Sequence, residues 1–213
     1  MTHIFFDTLT GFISKGGIIM IPILICSILA LALFVERLIH FAKLKNQDKG
    51  IVTAIISFLD QGREEDALKA AGQSVSPMGR VLSAAMEVRH TDRETLETVI
   101  VDAIGEEVRD LSANTQALAT IANIVPLLGL LGTVIGMIKA FMVIQEMGGK
   151  VNAVVLAGGI WEAMLTTAFG LVVALPVMLA HSYLIAGIDR HEARLQKGSV
   201  KFIKSLSIRN NNA

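Results

Sequence analysis

Three stretches of the chain lack the polar interruptions that a water-facing helix needs. Gly16 to Val35, Leu111 to Ile138 and Ala163 to Ile188 contain no Asp, Glu, Lys or Arg. A hydrocarbon core about 30 Å thick is crossed by roughly 20 helical residues, so each stretch predicts a membrane-spanning helix. The first closes on Glu36-Arg37, and the third extends backwards past Glu162 to about Val151. The second and third are longer than a bilayer requires, which predicts tilt or projection into the aqueous phases. Lys15 is the one Lys or Arg before the first stretch, and the apolar run is too long for a cleaved leader. The expectation is a retained span.

Between the first two spans the pattern is that of short amphipathic helices. Gly50 to Leu59 alternates in the helical manner and Gln61-Gly62 breaks it; Arg63 to Ala71 follows, ended by Gly72. Ser76-Pro77 is a helix start, because the serine can cap and proline at the first position loses no bond. Thr91 to Glu94 fits a capping box. No proline follows until Pro126, which predicts one continuous helix from Asp92 to about Glu146, on the order of 80 Å long at 1.5 Å per residue. Glu94, Glu97, Asp102, Glu106, Glu107, Arg109 and Asp110 read as its solvated face, with no metal-ligand spacing among them.

Charge placement adds orientation. Arg37, Lys43, Lys45 and Lys49 follow the first span, and Arg190, Arg194, Lys197, Lys201, Lys204 and Arg209 follow the third. The positive-inside rule then puts the N-terminus outside and the C-terminus in the cytoplasm. The expected layout is an outer segment 1–15, span 16–36, a helical cytoplasmic domain 37–110, span 111–145, an outer turn 146–152, span 153–187 and a cytoplasmic tail 188–213. The fold class is an all-α membrane protein with three transmembrane helices and a long helical loop.

Composition removes other classes. Of 213 residues, 53% are hydrophobic and only 18% charged, where soluble domains carry about a quarter. A net charge of zero leaves no electrostatic footprint for nucleic acid. The single Cys26 supports neither an internal disulfide nor a cysteine metal site. His3, His40, His90 and His191 stand in polar flanks, and no catalytic constellation, cofactor motif or phosphate loop is present. No enzyme chemistry and no cofactor are expected.

The second and third spans carry stripes. Gly129, Gly132, Gly136 and Ala140 recur at helical spacing on one face, with Thr133 roughly 40° from Gly129. In the third, Gly159, Ala163, Thr167, Gly170, Ala174 and His181 trace a similar line. Small residues let backbones approach in lipid, where apolar side chains gain nothing by clustering. Both stripes are contact faces, against each other or another chain. Threonines in such helices also satisfy themselves on the carbonyl one turn back, and Pro126 and Pro176 read first as kinks. Glu162 has two readings: a desolvated carboxyl poised to carry a proton, or an interfacial one meeting water or Thr166. Lys139 is expected to snorkel to the outer headgroups. One carboxylate and a few hydroxyls do not make a proton channel, so in a conducting protein the main titrating group belongs to a partner helix.

Two segments together resemble a known family. Val125-Pro-Leu-Leu-Gly-Leu-Leu-Gly-Thr-Val-Ile-Gly-Met-Ile138 and Ala157-Gly-Gly-Ile-Trp-Glu-Ala-Met-Leu-Thr-Thr-Ala-Phe-Gly-Leu-Val-Val-Ala-Leu-Pro176 are similar to the ExbB/TolQ/MotA proton-channel family, nearest its ExbB branch. The motifs cover roughly residues 115 to 185. The resemblance implies a homopentamer in the bacterial inner membrane, with spans two and three lining a central pore. Within it would sit two copies of an ExbD- or TolR-like single-span partner carrying the titrating aspartate. Proton flow would drive a TonB- or TolA-like protein. Carried over by motif, the proton pathway is Thr133, Thr167 and Glu162, and Pro176 falls on the family's late proline. His181 departs from the uncharged polar or aromatic residue expected there. The rivals are a stator resembling MotA, which typically has four spans, and a non-conducting membrane scaffold.

Overall fold

The computed structural model describes residues 17–47, 50–146 and 153–212. The expected segment 1–15 and nearly all of the turn 146–152 lie outside the described residues. Those described form seven α-helices and no strand: α1 (Met20–Gln47), α2 (Ile51–Asp60), α3 (Glu64–Gly72), α4 (Pro77–Glu87), α5 (Arg93–Ser112), α6 (Thr115–Glu146) and α7 (Ala153–Asn212). The all-α expectation holds. Three of them, α1, α6 and α7, are long and apolar enough to cross a membrane.

The chain divides into two compact units, one of residues up to Val35 with Asn114–Ser182, the other of Glu36–Ala113 with Tyr183–Ala213. In the first, Ile23, Val125 and Ala174 form a small buried cluster flanked by the half-buried Ile19, Cys26, Ile121, Leu128 and Val173. Apolar side chains also point outward all around: Leu127, Val172 and Leu179 are each more than 60% exposed. Helices apolar on every side are membrane helices, since water would not tolerate so much bare hydrocarbon.

The second unit has the core of a soluble helical domain. Ile55 and Leu59 of α2, Ala67 and Ala71 of α3, and Leu96, Ile100 and Ile104 of α5 are buried in one cluster. The inner face of α4 (Met78, Val81, Leu82, Ala85, Met86) follows the three- and four-residue steps of an amphipathic helix. Ser76 caps α4 as expected, its hydroxyl accepting from the Gly79 amide at 3.0 Å, with Pro77 in the first turn.

Four expectations are corrected. The helix from Asp92 to Glu146 is broken: α5 ends at Ser112, Ala113 is extended, and Asn114 takes a φ of 63° before α6 begins. Asparagine enters the left-handed region more readily than other non-glycine residues, so it stops a helix that neither Gly nor Pro interrupts. The capping box at Thr91 is not formed. Asp92 caps α5 instead, accepting from the Thr95 amide (2.9 Å) and hydroxyl (2.7 Å), while the Thr91 hydroxyl donates to the Val88 carbonyl. Two carboxylate oxygens satisfy two donors where one hydroxyl would satisfy one. Glu107 is not on a solvated face: it is 7% exposed and receives the Arg80 guanidinium on both oxygens, Nε at 2.5 Å from Oε1 and Nη2 on Oε2. His191 is not in a polar flank but 2% exposed on α7. The expected tail from 188 is helical as part of α7, and its Leu195, Phe202 and Leu206 are buried in the core of the second unit.

Candidate functional site

The glycines of α6 are buried, and their position is explained by what lies beyond them. Gly129, Gly132, Gly136 and Ala140 all face inward. A methyl group on Gly129 would lie 3.1 Å from the Thr166 carbonyl oxygen and 3.1 Å from Thr167 Cα. On Gly132 it would overlap the Thr166 side chain, 2.6 Å from its Cβ, and on Gly136 it would meet Ala163 Cβ at 2.8 Å. On Gly159 it would meet Ala140 Cβ at 2.6 Å, and on Gly170 the Val125 carbonyl oxygen at 3.0 Å. As residue numbers rise on α6 they fall on α7, so the two helices run antiparallel in a close seam. The expected small-residue stripes are brought together, each being the contact face of the other.

Three threonine hydroxyls lie at or beside this seam, each on a main-chain carbonyl. Thr167 donates across it to the Gly129 carbonyl at 2.9 Å. That bond depends on Gly129, because a side chain there would hold the helices apart. Thr166, fully buried, donates to the Ala163 carbonyl at 2.7 Å. It is therefore not engaged with Glu162 as the sequence allowed. Thr133 is half-buried and donates to the Leu130 carbonyl at 2.6 Å. Every one of the three hydroxyl protons rests on a main-chain carbonyl, which leaves the oxygen lone pairs as the available function.

The other expected residues differ in exposure. Ala163, Gly170 and Ala174 are buried, Gly159 and His181 half-buried. Pro176 is exposed within α7 and borders an apolar groove of about 440 Å³ shared with Ala30, Phe34 and Val177. Glu162 is half-buried, and its carboxylate faces Gly17, ahead of α1, rather than either threonine. Among the described residues no group of three His, Cys, Asp or Glu is placed to hold a metal. Two features escaped the sequence reading. Thr166, not Thr167, is the threonine whose side chain fills the seam, and Gly17 is the neighbour of Glu162. A seam position for 166 is visible in the spacing Ala163, Thr166, Gly170; nothing in the sequence points to Gly17.

The chain matches the model of the MotA/TolQ/ExbB proton channel family over residues 73–197. It is 34% identical over 178 residues to a protein of Synechocystis sp. named as ExbB-like biopolymer transport protein 1, covering 81% of this chain and 68% of that one. It is 28% identical over 186 residues to a protein of Methanothermobacter thermautotrophicus named as an ExbB homolog, covering 87% and 66%. The Tol-Pal system protein TolQ of Haemophilus influenzae is 39% identical over 91 residues, 42% of this chain and 39% of that one. The chain thus spans about two thirds of the length of the first two relatives. The family match runs through the whole glycine–threonine seam and both of the helices that build it, and on that ground this multi-pass membrane protein belongs to the MotA/TolQ/ExbB proton channel family.

Proposed function

We propose that the protein is the channel and stator subunit of an ion-driven motor in the bacterial inner membrane, working with an ExbD-like single-span partner to energise a TonB-like protein. The observation that carries this reading is the state of the seam hydroxyls. A hydroxyl whose proton is held by a carbonyl meets an approaching group as an acceptor. It receives a protonated carboxyl, and it can turn to donate to the ionised form. Between Gly129 and Ala140 the one Asp, Glu, Lys or Arg of α6 is Lys139, whose side chain is exposed, and on the facing stretch of α7 it is Glu162, whose carboxylate lies against Gly17 of the first span. A proton relayed past Thr133 and Thr167 therefore needs its carrier on another chain, which is the role of the partner aspartate.

In this reading five copies surround two partner helices, with lipids filling the outer faces. The N-terminus is periplasmic and the C-terminus cytoplasmic in this reading, which the Lys and Arg clusters after the first and third spans support. Native mass spectrometry after co-expression with the genomic neighbours tests the assembly. A ring retaining a small, aspartate-bearing single-span chain supports it, and a monomer or dimer without one overturns it. A TolQ-type subunit serving envelope integrity is the second reading, favoured by the 39% identity to TolQ across one segment. Which neighbour co-purifies separates the two.

A further inference from the structure

Glu162 is the one Asp, Glu, Lys or Arg between Ala153 and Ile188, and its surroundings in the membrane unit are specific. A side-chain carbon at Gly17 would lie 2.6 Å from Glu162 Oε1, so the carboxylate fills the space that any residue but glycine would claim. Gly17 also has a φ of 68°, a conformation that glycine takes at no steric cost. The turn that opens α1 follows at once, with the Met20 amide on the Gly17 carbonyl and the Ile21 amide on that of Ile18. Negative charge near the first turn of a helix is favoured by the helix dipole, and in a low-dielectric setting more than in water. None of the ion pairs among the described residues involves Glu162. Met20 and Ile23 on the next turn are buried, so the start of α1 is seated in the unit and not frayed from it.

We infer that Glu162 is a positioning residue: its carboxylate seats the start of the first span, through Gly17, on the third. Its part in ion transfer is then to fix α1 behind the α6–α7 seam and not to carry the proton. The contact stands without the channel reading, but its consequence for transport rests on that reading.

The single cysteine supplies the reporter. Cys26 lies on α1, half-buried beside the Ile23–Val125–Ala174 cluster, so its alkylation by a maleimide slows when α1 is seated. The full chain, with its co-expressed partner in proteoliposomes, is labelled in parallel with a measurement of proton flux. Glu162→Ala should raise the labelling rate about ten-fold, the size expected on losing a contact to a charged group. Glu162→Gln keeps a carbonyl acceptor and should stay within about three-fold of the parent, the share that net charge contributes at a helix end. Glu162→Ser, whose short side chain no longer reaches Gly17, should also raise labelling and so decides the matter if Glu162→Ala does not accumulate. Unchanged labelling in both Glu162→Ala and Glu162→Ser overturns the inference. So does loss of flux in Glu162→Gln with parental labelling, which would make the titrating proton essential. A parent protein that shows the labelling pattern but passes no protons overturns the channel reading alone.

Discussion

Thr167 donates its hydroxyl proton to the carbonyl of Gly129, 38 residues away in sequence, at 2.9 Å. The carbonyl belongs to a helix already bonded along its own axis, so the threonine uses a second lone pair and joins two membrane helices without unpairing either. Thr167→Ser should keep the bond and the seam. Thr167→Val should cost about 1 kcal/mol, the usual size for a hydrogen bond between membrane helices, measured by titrated unfolding in mixed micelles. The more telling outcome is functional: on the proposed channel reading, Thr167→Val and Thr133→Ala should both abolish proton flux with assembly unchanged. A scaffold without conduction predicts that both are tolerated.

Glycine-to-alanine changes should separate seam positions from lipid-facing ones. At Gly129 the added methyl meets backbone atoms of Thr166 and Thr167, which cannot rotate away. Gly129→Ala should therefore destabilise by about 2 kcal/mol, in the range of overpacked cores. At Gly158 nothing lies within 4 Å, and Gly158→Ala should be neutral or stabilising by about 0.5–1 kcal/mol through helix propensity. The same micelle titration reads both, and equal effects would argue against a tight α6–α7 contact.

The Arg80–Glu107 pair predicts an asymmetry. The Glu107 side chain is 9% exposed and that of Arg80 49%. Removing Arg80 strands a buried carboxylate, whereas removing Glu107 leaves a guanidinium with access to water and to the Val75 carbonyl. Arg80→Ala should cost about 2 kcal/mol, already reduced for the half-exposed arginine. Glu107→Leu, which replaces the carboxylate with buried hydrocarbon, should cost less. Hydrogen exchange of the α4 and α5 amides in the full protein measures both changes locally.

What the sequence revealed and what it hid divide along physical lines. The spans are legible because a bilayer imposes an uncharged run that few other structures need. The seam is legible because lipid removes the hydrophobic reason for large contacts, so glycine and alanine at helical spacing mark the interface. The break at Asn114 is not legible, since an isolated asparagine sits in many helices and only its dihedral shows the stop. The burial of Glu107 is hidden for a similar reason. Its partner Arg80 is 27 residues away, and a lone acidic residue on a helix reads as a solvated one. Within the second unit, Leu184, Ile188, His191, Leu195, Phe202 and Leu206 of α7 are buried at steps of three, four and seven, a helical period that continues where apolar composition ends.

The cap of α5 gives a prediction in pH. The Thr95 amide and then the Thr95 hydroxyl, both donating to Asp92, hold its carboxyl below the ordinary value of 3.8. A group with a folded pKa below its unfolded one stabilises the fold above the unfolded value, and that contribution is lost as pH falls through the folded one. Asp92→Ala should therefore lower the melting temperature of the second unit at pH 7, and the gap to the parent should narrow on acidification below pH 3.8. Asp92→Asn retains a capping oxygen but cannot ionise. Its difference from Asp92→Ala should stay constant with pH, while its difference from the parent changes across the same acidic window. Circular dichroism melts of the three proteins at neutral and acidic pH measure this directly. Parallel pH profiles for parent and Asp92→Asn would mean that the two Thr95 bonds do not depend on the carboxylate's charge, and the cap would then act by geometry alone.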